Sequence, residues 1–184
     1  MERRQYQKRL KAVRVKEDGL SFDSKSEYDF YLKLKKTFTD CQVLRPCELR
    51  LPGKVRGWKC DFGIVPLSTE SRVKLTSLAW NLSLDATSPA NSWVLSGRKP
   101  VEVLYIEFKG ETDLSTGLCR IDKNFKSRVD WLVKYADGIL ESFVVVGNGT
   151  GGIVSYCANQ TFRVTPIHST EFFLKQGKGL WCQA

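Results

Sequence analysis

A chain of 184 residues can bury one core of useful size, and 42% hydrophobic with 27% charged residues is globular composition, which argues against disorder as the default. Its 29 Lys and Arg outnumber 20 Asp and Glu, leaving a formal charge of +9, and such an excess favours polyanions, nucleic acid first among them. No run reads as a bilayer span and the basic N-terminus lacks the apolar stretch of a secretory signal, so the expectation is an intracellular, cytoplasmic protein without a membrane partner.

Residues 1–18 read as a basic leader carrying Arg3, Arg4, Lys8, Arg9, Lys11, Arg14 and Lys16. It offers little apolar surface, which predicts partial helix or ordering only against a phosphate backbone. The domain proper is expected over 19–184. Ser24 followed three residues later by Glu27 is a capping-box spacing, and Phe30, Tyr31, Leu34 and Phe38 then recur with helical period, predicting a helix over 24–38. Two extended segments follow, 42–51 and 57–65, joined by a turn at Pro52-Gly53.

The stretch 67–100 is rich in Ser, Thr and Asn yet carries Leu75, Leu78, Trp80, Leu82, Leu84, Trp93 and Leu95. The alternation of Leu78, Trp80, Leu82 and Leu84 predicts a strand, and the stretch as a whole an inserted hairpin or flap. Residues 101–108 form a β-prone run ending at Lys109-Gly110. A helix with Ile121, Phe125, Val129, Leu132 and Ala136 on one face comes next, stopped by Gly138, and 143–146 reads as a buried strand. Strand, helix and strand in that order predict a parallel, right-handed crossover and an α/β architecture. Segments 153–157 and 161–164 read as further strands or a hairpin, and the last twenty residues have no decisive pattern.

Six cysteines at irregular spacing without a CxxC pair, and a single histidine, His168, argue against zinc and for free thiols buried as small core residues. His168 itself reads as a surface residue. Gly147 to Gly152 fits G-x-G-x-x-G, but the β-prone Ile153 to Tyr156 follows where a dinucleotide loop must open a helix, so a flexible turn is expected. Trp58, Trp80, Trp93 and Trp131 read as core or interface residues, with stacking on unpaired bases as the alternative.

Chemistry concentrates in three places. Glu107 and Lys109 are two apart on a predicted strand, so both leave the same face, shared with Val101, Val103 and Tyr105, while Phe108 points the other way. Asp61 is the one acid in the otherwise apolar strand ending at Val65. If the strands are neighbours the carboxylates converge, and converging carboxylates bind hard ions such as Mg²⁺ or Mn²⁺. Glu27 is either a capping-box residue or, because it heads the buried stripe of its helix, a third carboxylate aimed at the other two.

With these residues in place the chain resembles the PD-(D/E)XK nuclease superfamily, and within it the phage endonuclease I (Holliday-junction resolvase) type and related phage nucleases. The resemblance covers roughly residues 20–147. It rests on Phe22-Asp23-Ser24-Lys25-Ser26-Glu27, on Asp61-Phe62 and on Ile106-Glu107-Phe108-Lys109-Gly110. Cys60 stands where the family name has proline, and the 67–100 insertion is longer than the usual connection. The resemblance implies a mixed central sheet flanked by helices, with a catalytic set of Glu27, Asp61, Glu107 and Lys109. By it, Asp61 and Glu107 would hold one or more Mg²⁺ ions, with Mn²⁺ able to substitute. Glu27 would hold a second ion or a metal-bound water, and Lys109 would orient the attacking water or neutralise charge on the phosphate. Lys25, Lys123, Lys126 and Arg128 would join Arg3, Arg4 and Arg14 in contacting DNA. The implied activity is a structure-selective DNA endonuclease, as a homodimer on branched DNA and in the host cytoplasm if phage-encoded. The alternatives are a nicking or transposon-end cleaving subunit of a larger complex, and a non-catalytic nucleic-acid binding module.

Overall fold

The computed structural model describes residues 15–17, 19–50, 57–83, 100–110, 123–135, 142–147, 152–156 and 162–181. For 15–17, 83, 123, 126, 133–135, 152–156 and 162–166 the description stops at the backbone.

Strands β1 (Val15–Glu17) and β2 (Leu20–Phe22) form an antiparallel pair, so the end of the basic leader is extended where partial helix was one expectation. Helix α1 (Lys25–Thr37) begins where the capping spacing predicts: the Ser24 hydroxyl accepts from the Glu27 N–H. Its stripe of Phe30, Leu34 and, just beyond the helix, Phe38 is buried. Strands β3 (Cys41–Leu44), β4 (Cys47–Leu49), β5 (Trp58–Cys60) and β6 (Phe62–Pro66) follow. The predicted turn at Pro52-Gly53 lies outside the described residues.

Residues 69–83 depart from expectation. They form helix α2 (Thr69–Ser83), not a strand. The alternation of Leu78, Trp80 and Leu82 is also what a helix shows when its buried stripe is Leu75, Leu78, Ala79 and Leu82, spaced by three, one and three. The start of α2 is set by two serines: Ser68 Oγ accepts from the Ser71 N–H, and Ser71 Oγ accepts from the Ser68 N–H. This is a capping box with serine in place of the usual Glu or Gln. Leu84, Trp93 and Leu95 lie outside the described residues.

Strand β7 (Leu104–Lys109), helix α3 (Lys123–Tyr135) and strand β8 (Phe143–Gly147) form the expected crossover unit, with β8 parallel to β7. Phe125, Val129 and Leu132 are buried as predicted, and Ile121 and Ala136 lie outside the described residues. Strands β9 (Gly152–Tyr156) and β10 (Phe162–Ser169) pair antiparallel as a hairpin, and residues 148–151 of the glycine-rich stretch before β9 lie outside the described residues. The final segment is helix α4 (Thr170–Trp181). Two glycines weaken its local signal, each costing about 1 kcal/mol of helix propensity, but Gly177 is where α4 meets α1: a methyl group there would sit 2.8 Å from Phe38 Cζ.

The order β3-β6-β7-β8-β10-β9 makes one six-stranded mixed sheet, antiparallel at both ends and parallel across β7, β8 and β10. One face packs on α1, α2 and α4 through Phe30, Leu34, Leu75, Leu78 and Phe173 against Phe62, Ile64, Leu104, Ile106, Val144 and Val146. The other packs on α3 and the β4–β5 pair through Phe125, Val129, Leu132, Leu49 and Trp58 against Phe143 and Val145. The result is a mixed α/β, three-layer arrangement. Among the described residues, no helix is long and apolar enough to cross a membrane.

Candidate functional site

Strand β6 runs antiparallel to β7 with Phe62 opposite Ile106 and Gly63 opposite Tyr105. Continuing that register by one residue brings Asp61, at the bend before β6, opposite Glu107. Backbone bonding locks the pair, because Asp61 Oδ2 accepts from the Phe108 N–H at 2.7 Å. The period of the strand then sorts the side chains. Tyr105 and Glu107 face the layer holding α3, while Ile106 and Phe108 pack with the opposite core, Phe108 stacked on Phe30 at 4.6 Å. Lys109, two residues after Glu107, turns its Nζ back to Glu107 Oε1 at 2.5 Å and lies 4.4 Å from the centroid of the Phe125 ring. The sequence expectation that Glu107 and Lys109 share a face holds, but Val101, expected on that face too, precedes β7 and packs in the opposite core beside α2.

Two carboxylates taken out of water side by side resist ionising together. Burial, then the neighbouring Glu107, pushes Asp61 up to about 7, against the pull of the Phe108 N–H and Lys109. Glu107 is only 5% exposed, and burial raises it as well, opposed chiefly by Lys109 and also by Arg128 and Trp58. Trp58 Nε1 is near enough to favour the charged carboxylate but does not complete a hydrogen bond, so Trp58 Nε1 and Glu107 Oε2 are both buried without a partner. An orphaned buried oxygen costs about 1–3 kcal/mol, and a position for an ion or ligand is one of the few explanations for such a group.

Glu27 sits elsewhere than in a bare cluster. It is 6% exposed at the start of α1, with Oε2 accepting from the Asp23 N–H at 2.8 Å and Oε1 paired with Arg45 Nη2 at 2.5 Å. The capping reading of Glu27 is thus half right, since the backbone donor is Asp23 and not the N-cap residue itself. The end of β7 meets this helix start: a methyl group on Gly110 would lie 2.7 Å from Ser26 Oγ. Glu27 is close enough to raise Asp61 further, though least of the contributions.

Arg45 is the residue that sequence reasoning missed. It lies in the link between β3 and β4, preceding Pro46 across a cis peptide bond. Its guanidinium also donates to the Ser21 carbonyl and stacks on Phe22, with 4.1 Å from Cζ to the ring centroid. No spacing or periodicity marks such an arginine, because its partners come from β2 and α1.

Of the residues expected to contact DNA, Arg128 is on α3 with its Cζ 5.6 Å from the Trp58 ring centroid, on the same side as Glu107. Lys25 is exposed at the first turn of α1. Lys123 and Lys126 lie on α3, with side chains outside the description, and Arg3, Arg4 and Arg14 fall outside the described residues. Trp58 is 3% exposed, which places it in the core under the site and removes it from stacking on bases. His168, expected at the surface, is instead half-buried, with Nε2 at 2.9 Å from the Leu82 carbonyl and its ring stacked on Phe172, and burial lowers its pKa.

Among the described residues, no three His, Cys, Asp or Glu side chains are arranged to hold a metal ion. The carboxylate pair fits a hard divalent cation nonetheless. Mg²⁺ binds through one or two carboxylates and keeps waters or phosphate oxygens at its other positions, so Asp61 and the unpartnered Glu107 Oε2 make a suitable donor set. Cys41, Cys47 and Cys60 are free thiols, and burial raises all three, which disfavours the thiolate a soft metal needs. Comparisons of the chain with family models, with curated proteins and with solved structures return no match.

Proposed function

We propose that this chain is a metal-dependent endonuclease that hydrolyses DNA phosphodiester bonds, with Asp61, Glu107 and Lys109 as its reacting set. One observation carries the reading: Glu107 Oε2 is buried without a partner beside Asp61, while Lys109 covers the other oxygen of the same carboxylate. Helix with Glu27, Asp61 at the bend that opens a strand, antiparallel strand with Glu107 and Lys109, then helix and parallel strand follows the order that the PD-(D/E)XK resemblance implies.

Asp61 and Glu107 are the residues that would hold Mg²⁺, with Mn²⁺ as a substitute; when bound, the ion supplies Lewis acidity toward the phosphate and a water of lowered pKa. Asp61 must give up its proton first. Lys109 Nζ brings a fixed positive charge to the edge of the pair, where charge develops on a phosphate in hydrolysis. Arg128 adds a second positive charge from α3 on the side of Glu107 and would hold the DNA backbone. Selection of branched or junction DNA, and action as a homodimer on its two symmetric strands, follow from the resemblance and complete the proposal.

The test is incubation of the purified chain with labelled junction, flap, duplex and single-stranded DNA in Mg²⁺, Mn²⁺ or EDTA. Cleavage of the junction in either metal and none in EDTA is expected. Intact DNA in every combination, at protein concentrations that shift the same substrates in a gel, overturns the endonuclease reading in favour of a binding module.

A further inference from the structure

Three buried or half-buried carboxylates, Glu27, Asp61 and Glu107, stand near one end of the sheet, and their charge is balanced unequally. Asp61 has a backbone N–H and the nearby Lys109, and Glu107 has Lys109 on one oxygen while the other completes no hydrogen bond. Both oxygens of Glu27 already have partners. Oε1 meets Arg45 and Oε2 meets the Asp23 N–H, and the Arg45 side chain is only 11% exposed. That guanidinium is not a passing surface cation. It is held by the Ser21 carbonyl and the face of Phe22, with Phe62 5.9 Å away on another side.

We infer that Arg45 takes the place of a second cation: the Glu27–Arg45 pair is a built-in charge balance, and the Asp61–Glu107 pair takes a single divalent ion. The inference rests on the metal-dependent reading above and deepens it. An ion at Glu27 would need an oxygen that Arg45 occupies and would sit against a fixed guanidinium, a like charge in a poorly screened interior. Arg45 is therefore a positioning residue. It holds Glu27 in place near Asp61 without drawing a metal to it.

The number of Mn²⁺ ions bound by the full chain without DNA tests this, read by equilibrium dialysis and by the paramagnetic resonance signal of free Mn²⁺. One ion on the wild type is expected. Arg45→Met should bind two, with the second lost again in Arg45→Met combined with Glu27→Gln, while Arg45→Lys, which restores the charge, should return to one. A role in stability only would lower the melting temperature of the arginine variants and leave the count at one throughout. Should Arg45→Met not fold, Arg45→Gln takes its place with the same expected counts, and two ions on the wild type falling to one in Glu27→Gln overturn the inference. Two ions on the wild type overturn this inference alone, whereas none overturns the metal site and this inference with it.

Discussion

Asp61 is tied at 2.7 Å to the backbone N–H of Phe108, the residue that separates Glu107 from Lys109. One hydrogen bond therefore registers the acid of one strand against the acid and the lysine of the next. Replacing Asp61 with Asn, or Glu107 with Gln, keeps the shape of each side chain and removes a ligand charge. Either change should lower Mg²⁺-dependent cleavage by about a thousandfold or more, the equivalent of several kcal/mol of transition-state charge stabilisation. DNA affinity measured by gel shift should stay close to the wild type, since the basic surface is untouched. Undiminished cleavage by both purified variants would sink the proposed site.

The same pair sets a pH dependence. Asp61, held up at about 7 by burial and by Glu107, keeps a proton in the folded chain that an ordinary Asp near 3.8 releases on unfolding. The folded state then binds more protons between those values, so stability is greatest below them and falls as pH rises through about 7. Metal-free protein should melt at a higher temperature near pH 5 than near pH 8, and Asp61→Asn should remove most of that difference, on the order of 2 kcal/mol. Melting curves in EDTA at the two pH values check it, and identical slopes for wild type and variant would show that Asp61 titrates normally. Metal binding must displace the same proton, so Mg²⁺ affinity should rise with pH over the same window.

Lys109 pairs with Glu107 and lies over Phe125, and neither contact makes it a ligand. Lys109→Ala is expected to slow single-turnover cleavage by about a hundredfold or more through lost charge stabilisation. Mn²⁺ affinity should not weaken, because the carboxylate it neutralised becomes more available. Equal losses of rate and of Mn²⁺ affinity would make its role structural.

Gly110 closes β7 against the start of α1. A methyl group there would approach Phe108 Cε1 to 2.6 Å and Ser26 Oγ to 2.7 Å. Phe108 cannot move easily, since its ring is stacked on Phe30. Gly110→Ala should therefore destabilise the fold by about 1–3 kcal/mol, the usual effect of overpacking, and should lower cleavage with it by shifting the backbone next to Lys109. A variant as stable as the wild type in urea unfolding would show that this approach has slack.

The +9 charge makes a prediction about DNA. Affinity should fall linearly with salt on logarithmic axes, with a slope of about 0.9 per phosphate neutralised on duplex. Removing residues 1–13, which leaves β1 in place, should flatten that slope by the number of leader cations that meet phosphates. An unchanged slope would place the DNA contacts elsewhere on the protein.

Local chemistry was enough to read α1 from Ser24 and its apolar stripe, the β7–α3–β8 unit, and the shared face of Glu107 and Lys109. Each depends on neighbours a few residues apart, where capping and side-chain period act directly. Residues 69–83 were misread because a few apolar residues at even spacing fit a strand and a helix alike. What decided it was the second set of partners: Leu75 and Ala79 complete a stripe that packs with the sheet residues Ile64 and Leu104. Helix α4 was illegible for a related reason, since its glycines oppose helix locally and Gly177 is explained only by Phe38 of another element.

The site divides in the same way. That Asp61, Glu107 and Lys109 are candidates for chemistry was visible in the chain, because an acid within an apolar run and an acid and lysine two apart at a strand end are conspicuous there. That Asp61 is registered against Glu107, that one oxygen of Glu107 is left without a partner, and that Arg45 already neutralises Glu27 were decided by tertiary structure. Glu27 and Arg45 are eighteen residues apart with a helix and a strand between them, and no local periodicity acts over that distance. A buried charge finds its partner through the fold, and the desolvation that makes the partner necessary does not exist until the chain has packed.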